Sequence, residues 1–525
     1  MHALAQRISL LDGWRRHLAA TLAGVLLSFA QAPFHLFVVG FIAFPVLVWL
    51  LDGIVESSER VFDGWRQAAG IGWFFGLGYF VAGLWWISNA LLVEAPEYAW
   101  MIPFAVIGLP AVLAVFYAIA CATALIFWSD NITRVFGLAA SFGVLEWARS
   151  VALTGFPWNS IGYSLMPHPI MMQSVVIFGL FGIGALAVLV FALPAALGAK
   201  QSRSGVLAVV LIGAILASHV GFGLWRMESG NDPSSDRTIR VRLVQPALDQ
   251  ASKVAQINPS QQFEDLLALS SLDGSGETPE LVVWPETSVP FLLTREPRAL
   301  SAIGAKLGDG QSLLAGVVRE EINPASGAGE PTYFNSIMQI DDRGIIQDAA
   351  DKVHLVPFGE YLPMADLLQR IGLTAIAAAD RGYSAASSRR LLFVNDISVV
   401  PLICYEAVFP ALAAEGDLLL NVTNDAWYGP TPGPFQHMHQ ARLRSVEAGR
   451  PMVRVANNGI SGVFDPFGRA VAWLGYDERG AVDVEVRMQT APTEYALPAK
   501  YNFGLILTLF IAISLFGRFR SKNEP

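Results

Sequence analysis

Cysteine is close to absent: the chain has two thiols, Cys121 and Cys404, in 525 residues. Two cysteines close one bridge at most, so a disulfide-stapled scaffold is excluded. Charge is scarce as well. Charged residues make up 15% and hydrophobic residues 53%, whereas a soluble globular chain carries about 25% charged residues. No basic excess exists: 35 Lys and Arg stand against 44 Asp and Glu, a net charge of −9 without basic clusters. That balance argues against nucleic acid as a partner. A Walker-type phosphate loop is also missing. Gly182-Ile183-Gly184-Ala185 superficially resembles a dinucleotide loop, but it lies inside an apolar run, where small residues serve helix packing.

What the chain has instead is apolar length. Residues 1–226 hold hydrophobic stretches separated by short polar breaks, and soluble composition follows to about 495. A last run, LILTLFIAISLF (505–516), precedes Arg518, Arg520 and Lys522. Spanning a bilayer takes about 20 mainly apolar residues, and a helix keeps its backbone hydrogen bonds internal there. The pattern predicts helices near 15–31, 35–52, 69–92, 99–128, 132–149, 170–198 and 205–225, and an eighth near 501–518. The expected plan is a membrane bundle over 1–226, an extramembrane domain over 237–495 and a closing helix over 501–518. The Gly/Ser/Asp stretch 229–236 reads as the linker.

Basic residues indicate orientation. Arg7, Arg15 and Arg16 precede the first helix, and Arg60 and Arg66 lie between the second and third. Arg134, Lys200, Arg203 and the C-terminal trio share their side if all eight helices span. The N- and C-termini are therefore expected in the cytoplasm, with residues 226–500 outside. Ala30-Gln31-Ala32 after an apolar run imitates a signal cleavage site, but Pro33 follows and more spanning segments come at once. An uncut anchor is expected.

The polar part alternates strand-like runs with helical patterns. Strands are expected at 240–245, 280–286, 312–318, 335–340, 397–406, 417–423 and 452–456, and helices at 263–272 and 435–448. Near-continuous apolar strands imply sheets covered on both faces, as in layered α/β folds. The stretch YLPMADLLQRIGLTAIAAA (361–379) is unusually apolar for a soluble domain and reads as a lipid-touching arm or as a buried helix.

Cys121 sits in an apolar helix and reads as a small buried hydrophobe. Cys404 ends the run ISVVPLIC, unpaired in an extracytoplasmic domain, where thiols tend to oxidise. Three other features bear on it. LVVWPE ends a buried-type strand at Glu286, KVHLVPFGEY carries Lys352 and Glu360, and NVTNDAWYG ends another strand in polar and aromatic residues. Each motif is weak alone; the order Glu, Lys, Cys at strand ends is specific. His437 and His439 are two apart, so on a helix they face different sides, and no metal site is read there. Asn457 and Asn458 before Gly459 read as a turn.

This order and its local sequence resemble the nitrilase (carbon–nitrogen hydrolase) superfamily. With membrane helices on both sides, the chain resembles the bacterial apolipoprotein N-acyltransferase family over nearly its whole length. The resemblance is strongest at WPE (284–286), KVHLVPFGEY, ICYE, NDAWYG, QARLRSVEAGRP (440–451) and NNGISG (457–462). It implies a multidomain membrane protein: about eight transmembrane helices plus an αββα nitrilase-like sandwich domain. It also implies Glu286 as general base, Lys352 as oxyanion-stabilising cation and Cys404 as nucleophile, with Glu360, Tyr405 and Glu406 in support. One departure is visible. Where the family often carries tryptophan after lysine, this chain has Lys253-Val254.

The implied reaction moves an acyl chain from a membrane phospholipid to the free α-amino group of the N-terminal diacylglyceryl-cysteine of an apolipoprotein. This is the last step of bacterial lipoprotein maturation, at the inner membrane. A ping-pong thioester route is implied, with the bilayer, the phospholipid and the apolipoprotein as partners and no cofactor. A free thiol with a pKa near 8.5 is only a few per cent thiolate at neutral pH, so attack requires a base. Two alternatives remain: a membrane-tethered amidase that passes the acyl group to water, and a non-catalytic lipoprotein-binding module on an old enzyme fold.

Overall fold

Strand β2, Leu281–Trp284, is four residues long, and all four side chains are buried. A strand with no polar face needs cover on both sides. Leu281 and Val283 enter a core between two sheets, while Val282 and Trp284 enter a second core under outer helices. The computed structural model describes all residues except 58–60, 199–201, 230–236, 273–277, 323–330, 364–381, 411–415, 494–496 and 524–525. Most of the expected linker 229–236 and of the apolar stretch 361–379 therefore lies outside the described residues. Two units result: Met1–Asn231 with Pro492–Pro525, and Asp232–Ala491.

The second unit is an αββα sandwich. Its first sheet comprises β1 (Thr238–Gln245), β2, β3 (Ser312–Ile322), β4 (Pro331–Asp341), β5 (Ile346–Asp351) and β12 (Gly480–Arg487), in the order β12-β1-β2-β3-β4-β5. The second comprises β6 (Leu392–Val394), β7 (Ile397–Ile403), β8 (Leu418–Thr423), β9 (Met452–Ala456), β10 (Ser461–Phe464) and β11 (Ala470–Leu474), in the order β11-β10-β9-β8-β7-β6. Each sheet has three parallel central strands, β1-β2-β3 and β7-β8-β9. Alternation assigns the layers. Leu418, Leu420 and Val422 face the opposite sheet, and Leu419 packs with Ala441 of the helix Pro432–Ala448. The helices Pro259–Ser270 and Pro297–Gly304 cover the first sheet with Phe263, Leu266 and Ile303.

Strands β5, β6, β10, β11 and β12 were not among the runs marked in the sequence. Their composition explains this. IQDAAD of β5 has no apolar run, and GAVDVEVR of β12 is an edge strand buried at only two positions.

Helices occupy the apolar stretches of the first unit. Among the described residues, six are long and apolar enough to cross a bilayer: Phe37–Val55, Phe62–Leu92, Ala95–Phe127, Val175–Gly198, Arg203–Ser229 and Ala499–Arg520. The two further expected helices fall short for distinct reasons. Gly13–Ser28 has 16 residues, and Arg134–Val151 contains Arg134, Glu146 and Arg149. Glu146 and Arg149 are fully buried and paired at 3.0 Å. Arg149 also donates to the carbonyls of Phe156 and Trp158, and Glu146 accepts from the Ile161 amide at 3.0 Å. Intramembrane charges are tolerated when they pair in this way.

Contacts give the helix directions. Arg16 donates to Gln67 at 2.8 Å, and at the other end Gly83 lies by Ser28. Gly13–Ser28 and Val61–Leu84 therefore run parallel, and Gly40–Ser57, which lies between them in sequence, runs the opposite way. Glycines permit the close approach: a Cβ on Gly24 would collide with the Phe75 carbonyl, and one on Gly78 with the Thr21 backbone. Arg134 pairs with Asp52 at 2.9 Å, and Arg518 reaches the Ile126 carbonyl. The basic helix ends therefore gather at one end of this unit.

Leu420 is fully buried between the two sheets. Leu420→Ala is expected to lower unfolding stability by about 2–5 kcal/mol, read from thermal or denaturant unfolding of the detergent-solubilised chain.

Candidate active site

β7 ends at Ile403, and Cys404 follows with φ +49°, a left-handed conformation that a non-glycine residue adopts only under constraint. The constraint is visible. The chain turns at once into a short 3-10 helix, Cys404–Val408, whose Glu406 carboxylate is fully buried. Glu406 accepts from the Ile403 amide at 2.7 Å, from the Val353 and His354 amides at 3.0 and 3.1 Å, and from Arg389 at 3.2 Å. One side chain thus ties the end of β7 in the second sheet to the segment after β5 in the first. Tyr405 packs edge-on against Phe409 at 5.0 Å, and Phe409 lies 4.0 Å from the His354 ring.

Glu286 follows β2 and Lys352 follows β5. β5 is antiparallel to β4, which is antiparallel to β3, so β5 points the same way as β2 and β3. Both residues therefore emerge at one edge of the first sheet. The Lys352 Nζ lies 2.9 Å from Glu360 Oε1 and 3.4 Å from Glu286 Oε1. The Asn335 amide donates to the same two oxygens, at 2.7 and 2.8 Å. Glu360 also accepts from the Val356 amide at 2.7 Å. The result is a closed ring: two carboxylates bridged on one side by an ammonium and on the other by an amide.

Electrostatics link this ring to the thiol. Burial pushes the Cys404 thiol up from its ordinary value, the Glu286 carboxylate pushes it further, and the Lys352 ammonium pulls against both. The thiol therefore stays protonated at neutral pH. Burial alone would pull Lys352 down, but the charges of Glu360 and Glu286 outweigh it and hold the ammonium above the usual lysine range. Such a site contains a protonated thiol, a carboxylate within electrostatic reach of it and a fixed positive charge, the kinds of group that thiol-based acyl transfer requires.

The structure brings Glu286, Lys352, Cys404, Glu360, Tyr405 and Glu406 into one neighbourhood at the ends of β2, β5 and β7. It also adds residues that the motifs did not single out. Asn335 was visible only as a polar residue opening an apolar strand. Arg454 lies inside MVRVA and is fully buried; a charge within an apolar strand was the available signal. Lys253 reaches the Glu286 carbonyl at 3.4 Å and the Thr287 hydroxyl at 3.2 Å. Burial pulls its pKa down to about 8, partly opposed by Glu286. Val254 beside it is half-buried. His437 lies under Cys404, its ring facing the Cys404 carbonyl.

Two outcomes follow from this geometry. A Cβ on Gly316 would sit 2.6 Å from the Glu286 Cα, so Gly316→Val displaces Glu286. Its expected cost is about 1–3 kcal/mol, seen as a lowered melting temperature. Because the thiol is raised, alkylation of Cys404 by iodoacetamide should keep rising between about pH 7 and pH 10. Peptide mass spectrometry should find no plateau near the ~8.5 of a free thiol.

Comparison with known proteins agrees over both units. Residues 23–193 match the model of the apolipoprotein N-acyltransferase N-terminal domain, and residues 240–493 match that of the carbon-nitrogen hydrolases. An apolipoprotein N-acyltransferase of Allorhizobium ampelinum is 47% identical over 528 residues, covering 99% of this chain and 98% of its own. That of Sinorhizobium medicae is 49% identical over 531 residues and covers 99% of each. That of Brucella melitensis is 47% identical, covering 98% of this chain and 97% of its own. Among solved structures, a CN-hydrolase superfamily protein from Xanthomonas campestris is similar at 18% identity and a TM-score of 0.33. It covers 48% of this chain and 91% of its own. An identity near one half, sustained across membrane bundle and sandwich alike, places the chain in the apolipoprotein N-acyltransferase family, membrane-embedded acyltransferases of lipoprotein maturation.

Proposed function

We propose that the chain moves a fatty acyl group from a membrane phospholipid to the free α-amino group of a diacylglyceryl-cysteine at an apolipoprotein's N-terminus, through a thioester on Cys404. The observation that carries this reading is the electrostatic coupling of Cys404 to Glu286 and Lys352, three buried groups at the ends of strands from two sheets.

The steps balance without an added reagent. Sulfur attacks the ester carbonyl as Glu286 takes the thiol proton. Negative charge develops on the carbonyl oxygen, facing the Lys352 ammonium and the Tyr405 backbone N–H. The C–O bond breaks, the leaving alkoxide takes the proton from Glu286, and a lysophospholipid departs. The lipoprotein amine then attacks the thioester and passes a proton to Glu286. The C–S bond breaks, and the departing sulfur recovers that proton. Ester to thioester to amide ends downhill, so no nucleotide is required.

In this reading Glu360 holds Lys352, and Glu406 holds the turn that presents sulfur. Residues 1–226 and 501–518 form the membrane part, and 237–495 form a periplasmic catalytic domain. Both termini are cytoplasmic. The gathering of Arg16, Arg134 and Arg518 at one end of the bundle supports that orientation, because basic helix ends stay in the cytoplasm. Both substrates are anchored by acyl chains and reach the enzyme by lateral diffusion.

Purified protein given an alkyne-tagged phospholipid is expected to acquire a hydroxylamine-sensitive label that Cys404→Ala abolishes. Persistence of the label in that variant would refute the nucleophile. Glu286→Gln is expected to slow labelling about 10²–10⁴-fold. Adding a diacylated lipopeptide should discharge the label into a triacylated product; discharge as free fatty acid would show transfer to water instead.

A further inference from the structure

Beneath the nucleophile runs a chain of buried polar groups that the mechanism above does not use. His437, on the helix Pro432–Ala448, is fully buried. Its Nε2 lies 3.0 Å from the Cys404 carbonyl oxygen. A carbonyl only accepts, so Nε2 carries the hydrogen and donates it. Its Nδ1 lies 2.8 Å from Asp425 Oδ1. Asp425 Oδ2 in turn accepts from Arg454 of β9 at 2.6 Å, and Arg454 donates to the Asn421 side chain of β8. Asn421 closes the path by donating to the Leu402 carbonyl in β7 at 2.7 Å. Gly459 leaves room for it, since a Cβ there would lie 2.7 Å from Asp425 Oδ2.

Packing alone does not call for this arrangement. Apolar side chains fill such volume at less cost than a buried ionic network, which is favourable only when every member is satisfied. The network spans three strands and a helix, and one of its ends is the carbonyl oxygen of the nucleophile's own residue.

That atom matters because a peptide group is planar and trans. Fixing the direction of the Cys404 C=O fixes the direction of the Tyr405 N–H across the same peptide bond. A hydrogen bond to the carbonyl also polarises the amide and strengthens its N–H as a donor. We propose that His437 is a positioning residue: by gripping the Cys404 carbonyl it aims the Tyr405 N–H at the oxyanion. Asp425 and Arg454 hold the ring in the orientation this requires. The inference rests on the reading of Cys404 as the nucleophile.

Two reactions of the same sulfur test it in the full-length, detergent-solubilised enzyme. Acylation by an alkyne-tagged phospholipid passes through an oxyanion; alkylation by iodoacetamide does not. His437→Leu is expected to slow acylation on the order of tenfold to a hundredfold, below the loss from removing an oxyanion donor outright. Alkylation should stay within about twofold of the parent rate, because that displacement develops no oxyanion for a donor to stabilise. His437→Gln, which keeps a donor, should recover part of the acylation rate. If His437→Leu does not fold, Asp425→Asn keeps the imidazole but loosens its hold, and should show the same split at smaller size. An equal fall in both reactions, or no fall in acylation, overturns the proposal. A parent enzyme that takes no phospholipid label at Cys404 overturns instead the nucleophile reading beneath it.

Discussion

The site is organised around one buried ammonium that cannot be left alone. Taking a lysine charge out of water is tolerated only when opposite charge and hydrogen bonds surround it. Lys352 meets that condition with Glu360 at 2.9 Å and Glu286 at 3.4 Å. Two carboxylates around one cation leave negative charge over, and the Asn335 amide absorbs part of it by donating to both. Removing one partner from such a set typically costs about 3–5 kcal/mol. The ring fixes the sheet edge and holds a carboxylate and a positive charge within electrostatic reach of the thiol.

A second constraint joins the two sheets. Glu286 and Lys352 leave the first sheet and Cys404 leaves the second, so their relative placement depends on what crosses between them. The apolar layer between the sheets supplies cohesion but little directional control. Direction comes from Glu406, whose carboxylate takes backbone amides from both sides, and from the His437 chain beneath the turn. The left-handed conformation of Cys404 persists because these groups over-determine it.

The membrane unit obeys a related rule in a drier setting. Glu146 and Arg149 bury their charges as a pair, and both also hydrogen-bond to the segment 156–161. The aromatic stretches 73–86 and 155–164 meet at that segment. Trp86 and Trp158 lie 5.0 Å apart and both are buried, so these rings form packing within the bundle. Glycines at 24 and 78 replace apolar bulk where helices approach closely, a means of association suited to lipid, which offers no hydrophobic drive between helices.

The amino-acid order alone determined the plan. Apolar runs marked the membrane helices because a bilayer sets a minimum length, and fully apolar strands such as Leu281–Trp284 marked a sheet covered twice. Strand ends located Glu286 and Cys404, and family resemblance to quoted motifs gave them roles. Short-range pattern said nothing of β5 or β12, where polar composition hides strands paired to distant partners. It likewise gave no role to Asn335, His437, Asp425 or Arg454. Each of those looks ordinary beside its chain neighbours and acquires meaning only from groups tens or hundreds of residues away. Buried hydrogen bonds are satisfied in three dimensions, so only the tertiary structure decided which polar residues face the thiol and which carbonyl His437 grips.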